Sequence, residues 1–147
     1  NNNECDDCGR YYRVLEATFL CPDGWHLPSD QDWMELEITA GMNEAEATKT
    51  GWRGTRPGQG PALLRGGKTG LNLRMCGYVV QTNQSVKKPK YSHKDLKEGA
   101  YYWTSTDSWI YPSTQAIIRH IRSRASIERI DEFKNKRFPV RCVKDSD

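Results

Sequence analysis

The sequence predicts an α+β fold. Three observations point there: helical signals cluster near the N-terminus, five short strand-like runs follow them, and polar, turn-rich segments separate the runs. The 147 residues suit one domain, able to bury roughly two-thirds of its unfolded surface without help from a metal or partner. Residues 1–8, rich in Asn and Asp, read as a leader, and residues 9–147 as the folded domain.

Residues 11–20 carry apolar side chains with few breakers and predict a short helix, after which Cys21-Pro22-Asp23-Gly24 turns the chain. Ser29 is an N-cap, and Asp32 three residues on completes a capping-box variant. Trp33, Leu36 and Ala40 then share one helical face before Gly41. Residues 43–49 predict a second short helix. Residues 51–70 hold seven glycines and two prolines, too many breakers for regular structure, and predict a long loop. Strands are expected at 71–80, 101–104, 116–121, 126–130 and 138–143. The lysine-rich stretch 81–98 is expected to be a long functional loop.

Mean hydropathy is −0.84, and no apolar run approaches the roughly 20 residues of a membrane-spanning helix. Residues 1–8 lack the basic start and apolar stretch of an export signal, so any such signal is expected to have been removed or never to have been included in this sequence. A formal charge of +3 gives no reason to expect nucleic acid. Its distribution is uneven: from 117 to 144 nine Lys/Arg face three acids, which predicts a solvated strand face. Five Trp and seven Tyr supply rings that serve equally as core filler and as flat contact surfaces.

Motifs for chemistry fail on inspection. Gly66-Gly67-Lys68-Thr69 lacks the upstream glycine of a phosphate-binding loop, since Ala62 stands there. No nucleophile elbow occurs, and His26, His93 and His120 have no acidic partner at metal-ligand helical spacing. Asp30 and Asp32 form a carboxylate pair in the sequence, but capping and the helix dipole account for them. No catalytic residue, metal ligand or cofactor is expected.

Five cysteines, at 5, 8, 21, 76 and 142, leave one outside any intramolecular framework, and spacing does not decide the pairing. Cys5-x-x-Cys8 has no second half to complete a zinc site and is better suited to a local disulfide or a linker. Cys76, in an apolar strand-like setting, reads as a buried thiol.

Four ordered blocks carry a family resemblance. They are Gly9-Arg10-Tyr11-Tyr12 leading to Cys21-Pro22-Asp23-Gly24-Trp25-His26-Leu27-Pro28-Ser29-Asp30 and Trp33; Thr69-Gly70-Leu71-Asn72 with Gly77-Tyr78; Tyr101-Tyr102-Trp103-Thr104-Ser105-Thr106; and Phe138-Pro139-Val140-Arg141-Cys142-Val143-Lys144-Asp145. Together they resemble the Fibrobacter succinogenes major paralogous domain. The resemblance implies a C-type-lectin-like fold, with two short helices on a small, twisted, mostly antiparallel sheet with long loops. It also implies export to the periplasm, outer-membrane surface or medium, as in envelope-rich bacteria such as Bacteroidetes, including lipoproteins. Within that pattern Cys21 pairs with Cys142, leaving Cys5 and Cys8 as the next pair. The tripeptides of calcium-dependent lectins are missing, so calcium-mediated sugar binding is not implied. Relatives carry a stretch before the first block where this sequence has only residues 1–8, so an N-terminal strand is expected to be missing or supplied, as a donor strand, by another chain or segment.

The matching residues Trp25, Leu27, Trp33 and Trp103 are expected in the core, with Gly24 and Gly77 in turns. Ligand contacts are therefore expected from segments without packing duty, namely Trp109, Tyr111, Lys94 and Tyr91. The resulting expectation is a non-catalytic binding or adhesion module for a polysaccharide or an envelope or host protein. A structural subunit of an envelope or fimbrial assembly is the alternative, and an enzyme resembling the sulfatase-activating proteins a more distant one.

Overall fold

The computed structural model describes residues 8–54, 59–122 and 126–146. In chain order they form α1 (Val14–Ala17), β1 (Trp25–His26), α2 (Asp30–Thr39), α3 (Glu44–Ala47), β2 (Gly51–Arg53), α4 (Gln59–Leu63), β3 (Tyr78–Gln81), β4 (Tyr91–Lys94), β5 (Gly99–Asp107), β6 (Gln115–Arg122), β7 (Ile127–Phe133) and β8 (Val143–Lys144). The class is α+β, as the sequence predicts.

The centre is a four-stranded antiparallel sheet in the order β2-β7-β6-β5, flanked by the two-stranded pairs β1-β8 and β3-β4. Alternation along β5 and β6 sends side chains to both faces of the sheet, and both faces are buried. On one face Ala100, Tyr102, Ile121 and Ile127 pack with Trp33, Met42, Leu63 and Leu73. On the other, Tyr101, Trp103 and Ile118 pack with Val14, Ala17, Leu27 and Phe138. The outer edge of β5 is covered by a parallel bridge from Gly77 to Ala100 and by the Ser105 N–H donating to the Pro28 carbonyl.

Local signals explain the clearest elements. Ser29 Oγ accepts from the Asp32 N–H at 3.1 Å, while the Asp32 carboxylate accepts from the Ser29 N–H at 2.8 Å, so the expected capping box starts α2. Asn43 caps α3 through the Ala45 N–H. The run Tyr101-Tyr102-Trp103 and the isoleucines Ile117, Ile118 and Ile121 suit a pleated surface packed on both sides.

Several expectations need correcting. The long loop expected at 51–70 contains β2 and α4, because β2 takes its hydrogen bonds from β7 and the Gln59 side chain ties α4 to the Gly41 carbonyl at 2.9 Å. Tertiary pairing here outweighs a weak local propensity. The stretch 71–80 becomes a strand only at β3; Asn72 adopts positive φ, and Gly77 turns the chain where a side chain would strike the Lys94 carbonyl. The stretch 81–98 includes β4, and in 138–143 only Phe138, bridged to Tyr12, and Val143, which opens β8, take part in strand pairing. Trp25 is 45% exposed rather than core, since β1 lies in an outlying pair.

The expected solvated basic face is also wrong in part, because Arg119 and Arg129 are buried. They belong to an ion chain that runs through the α2 layer. Glu37, wholly buried, receives Arg53 through two bonds of 2.8 Å and Arg119 Nε at 2.6 Å. Arg119 also meets Asp30 at 2.8 Å, and Arg129 Nη2 reaches Asp30 at 2.6 Å. Asp30 is thus more than a helix-dipole residue. Burial pushes its carboxyl pKa up, but the Arg129 hydrogen bond and the Arg119 charge outweigh that and hold it below the ordinary carboxylate value.

His26 fastens the chain ends to α2. Its Nδ1 lies 2.6 Å from Asp145 and its Nε2 2.9 Å from Asp32, and β1 pairs with β8 alongside. The hydrogen bond to Asp145, then that to Asp32, raises the imidazole pKa above its ordinary 6.5. A raised folded-state pKa contributes stability that is full below 6.5 and is lost as pH rises through the raised value. Denaturant titrations across that window are expected to show falling stability, and His26→Asn is expected to flatten the slope. An unchanged slope in that variant would remove His26 as its source.

Candidate functional site

Two exposed surfaces hold the residues expected to touch a ligand, and the structure does not join them. Tyr91 lies in a groove of about 530 Å³, lined by Gly9, Arg10 and Tyr11 before α1, Val79 of β3, Tyr91 and His93 of β4, and Arg137 after β7. Trp109 and Tyr111 lie in the turn between β5 and β6. Lys94 is exposed on the same hairpin as Tyr91, but strand alternation sends it to the opposite face from Tyr91 and His93.

The groove is built by pairing. Val79 and His93 are directly opposite each other between β3 and β4, so they share a face with Tyr91. Arg137 is brought alongside by a reciprocal backbone pair with Val79, both bonds 2.9 Å. Its guanidinium carbon lies 5.3 Å from the centre of the Tyr91 ring, and its Nη1 donates to Glu16 at 3.0 Å. Tyr11 meets His93 edge-on at 5.0 Å, and its hydroxyl donates to the Cys76 carbonyl at 2.7 Å. Tyr91 remains 48% exposed. Its ring and that of Tyr11 are thus held in place by the protein.

Cys8 and Cys76 form a disulfide with Cα atoms 5.7 Å apart. This corrects both the pairing of Cys8 with Cys5 and the free buried thiol at Cys76; Cys5 itself lies outside the described residues. Proximity in sequence is no guide here, since 68 residues separate the bonded pair and the β3–β5 region brings them together. The bond sits beside the groove: Cys8 adjoins Gly9, and the Cys76 carbonyl holds Tyr11. A second disulfide joins Cys21 and Cys142, also at 5.7 Å. Cys8→Ser/Cys76→Ser is therefore expected to keep the central sheet while changing the environments of Tyr11 and His93. Side-chain NMR of His93 measures this, and spectra identical to wild type would show the bond to be irrelevant to the groove.

The second surface is a stiff ledge. Ser108 Oγ accepts from the N–H groups of Ile110 and Tyr111 at 3.1 and 3.0 Å and donates to Asp131 at 2.6 Å. Trp109 is 68% and Tyr111 57% exposed, with Ile110 exposed between them. The Arg129 guanidinium lies 4.6 Å from the centre of the Trp109 ring. The buried ion chain therefore ends against one face of an exposed indole.

The histidines have separate duties. His26 bridges two carboxylates, and His93 lines the groove. His120 is buried, stacked on Tyr101 at 4.1 Å, and bonded to Glu128 at 2.9 Å. Burial lowers its pKa below the ordinary imidazole value. Of the groove residues, the sequence singles out only Tyr91. The alternation Tyr91-x-His93 was a usable signal for His93, but nothing local announced Tyr11 or Arg137, which arrive from distant segments.

Fold and cysteine pairing together define a disulfide-braced α+β domain suited to a non-reducing setting. The chain belongs to the Fibrobacter succinogenes major domain family, whose model matches residues 1–144. No curated protein and no solved structure matches it. Among the described residues, no helix is long and apolar enough to cross a membrane.

Proposed function

We propose that the chain is an exported binding domain with a C-type-lectin-like fold, working outside the cytoplasm and presenting the Tyr11–Tyr91–His93 groove to its ligand. The observation that carries this reading is the preorganised groove: the half-buried ring of Tyr11 and the exposed ring of Tyr91 are positioned by Cys76 and Arg137 before any ligand arrives. Preorganisation lowers the entropy cost of binding. The lining of rings, guanidinium groups and imidazole suits contact with a ligand's ring faces and charged groups. Short helices, α2 the longest of them, beside an antiparallel sheet, with a bond from the start of the domain to its end, support the fold assignment.

The test is a screen of the purified domain against glycan arrays and envelope extracts, followed by Tyr91→Ala. Ligand capture by wild type is expected to fall by roughly tenfold or more in the variant, the scale of a lost aromatic contact at a binding site. No capture by wild type, or capture indifferent to Tyr91, would overturn the reading.

The ledge favours a second reading, a subunit of an envelope assembly. Trp109, Ile110 and Tyr111, with Phe133 opposite Gln115 at the same end of the sheet, form an exposed apolar patch of the kind that marks protein contacts. Native mass spectrometry of wild type and Trp109→Ala separates the readings: an assembly dissolved by the substitution supports the subunit role, and a monomer in both counts against it.

A further inference from the structure

The groove's composition narrows its ligand. Among the described residues its lining includes two cations, Arg10 and Arg137, and no Asp or Glu. Glu16 engages Nη1 of Arg137, and the guanidinium carbon lies 5.3 Å from the centre of the Tyr91 ring. Two tyrosine rings and one imidazole complete the side-chain surface, together with Val79. The volume, about 530 Å³, falls within the range of sites for small molecules, roughly 300–1,000 Å³.

The backbone narrows it further. An extended peptide bound by strand addition needs unpaired N–H and C=O groups along an edge. In the groove the N–H and C=O of Val79 are both bonded to Arg137. A ligand at the Val79 wall meets side chains, although β4, which carries Tyr91 and His93, is the outer strand of its pair. Flat rings suit a molecule with apolar ring faces, and a guanidinium suits a planar carboxylate that accepts two parallel bonds.

We infer that the groove binds a carboxylate-bearing saccharide, with sugar faces against Tyr91 and Tyr11 and the carboxylate against Arg137 and Arg10. This rests on the groove being the ligand face, and goes beyond that reading in naming the charge and ring character of the ligand. His93 supplies a polar group for sugar hydroxyls between them.

The test uses the whole chain with both disulfides intact and three probes: tri-galacturonate, its fully methyl-esterified form, and hexaglutamate. The ester keeps the sugar rings and removes the charge, and the peptide keeps the charge and removes the rings. By calorimetry at low salt, tri-galacturonate is expected to bind at least roughly tenfold tighter than the ester, since only the acid offers a charged acceptor. The preference is expected to shrink as salt screens the partly exposed cations. Arg10→Ala and Arg137→Lys are each expected to reduce the preference, and Tyr91→Ala to weaken both saccharides. Hexaglutamate is expected to bind more weakly than tri-galacturonate.

Equal affinity for acid and ester, with both lost in Tyr91→Ala, would overturn the carboxylate inference while keeping the groove as ligand face. Hexaglutamate binding as tightly as tri-galacturonate would overturn the saccharide assignment in favour of an acidic peptide. No binding of either saccharide would overturn the inference outright. If array capture were also indifferent to Tyr91, the underlying reading would fall with it.

Discussion

Glu37→Ala is expected to destabilise the domain by about 3–5 kcal/mol, the scale measured when one partner of a buried ion pair is removed. For a chain of this length that corresponds to a fall in melting temperature of roughly 6–20 °C. The cause is the guanidinium groups left behind. Arg53 and Arg119 are as deeply buried as Glu37, and their bonds to it are 2.6–2.8 Å long. Arg119 would retain Asp30, which it already shares with Arg129. Arg53 would retain the Ala47 carbonyl at 2.8 Å, a neutral acceptor for a full charge. Glu37→Gln keeps the shape and one acceptor oxygen and is expected to lose less. Thermal melts of both variants check the order, and a change under 1 kcal/mol for the alanine variant would show that water or rearrangement solvates the arginines. Because Arg129 lies against Trp109, the same perturbation is expected to shift Trp109 fluorescence in the folded state.

Loss of the Cys21–Cys142 bond is the second large effect. It closes a loop of 121 residues, and on the chain-entropy model its removal costs roughly 4–5 kcal/mol through the greater freedom of the unfolded chain. Cys21→Ser/Cys142→Ser is expected to show this as a lower denaturant midpoint. Cys8→Ser/Cys76→Ser, with a separation of 68, is expected to lose less in stability. The two losses are not expected to add, because the loops overlap: residues 21–76 belong to both. Equal midpoints for wild type and the Cys21/Cys142 variant would rule out the entropic account.

What could be read in the sequence was local or periodic. Ser29 and Asp32 announce α2 three residues apart, and the apolar runs of β5 and β6 announce strands whatever their partners. The short strands were hidden, because β2 and β4 consist of Trp, Arg, Ser, His and Lys among others and exist through pairing with β7 and β3. Glu37 lay in plain view on a helix, but its burial could not be inferred until Arg53 and Arg119, 16 and 82 residues away, were known to converge on it. The same holds for the groove. Tyr91 stood out as an aromatic in a polar stretch, whereas Tyr11 and Arg137 gained their place only when β3 drew the two ends of the chain to one hairpin. The pairing of Cys21 with Cys142 followed from a family pattern and that of Cys8 with Cys76 from neither spacing nor pattern.

The bond between residues 21 and 142 also decides how the domain would carry a pull. Tension applied before Cys8 and after Cys142 runs along the segment 8–21, across the sulfur bridge and out through the last residues. The central sheet, α2 and the buried ion chain all lie within the loop that this bridge closes, so they cannot be drawn out in line while it holds. The strands of the central sheet, which would otherwise be unzipped one at a time, stay out of the load path, and only β8 lies on it. Under such a pull the central sheet would keep its shape, whereas the groove wall formed by Gly9, Arg10 and Tyr11 would bear the load.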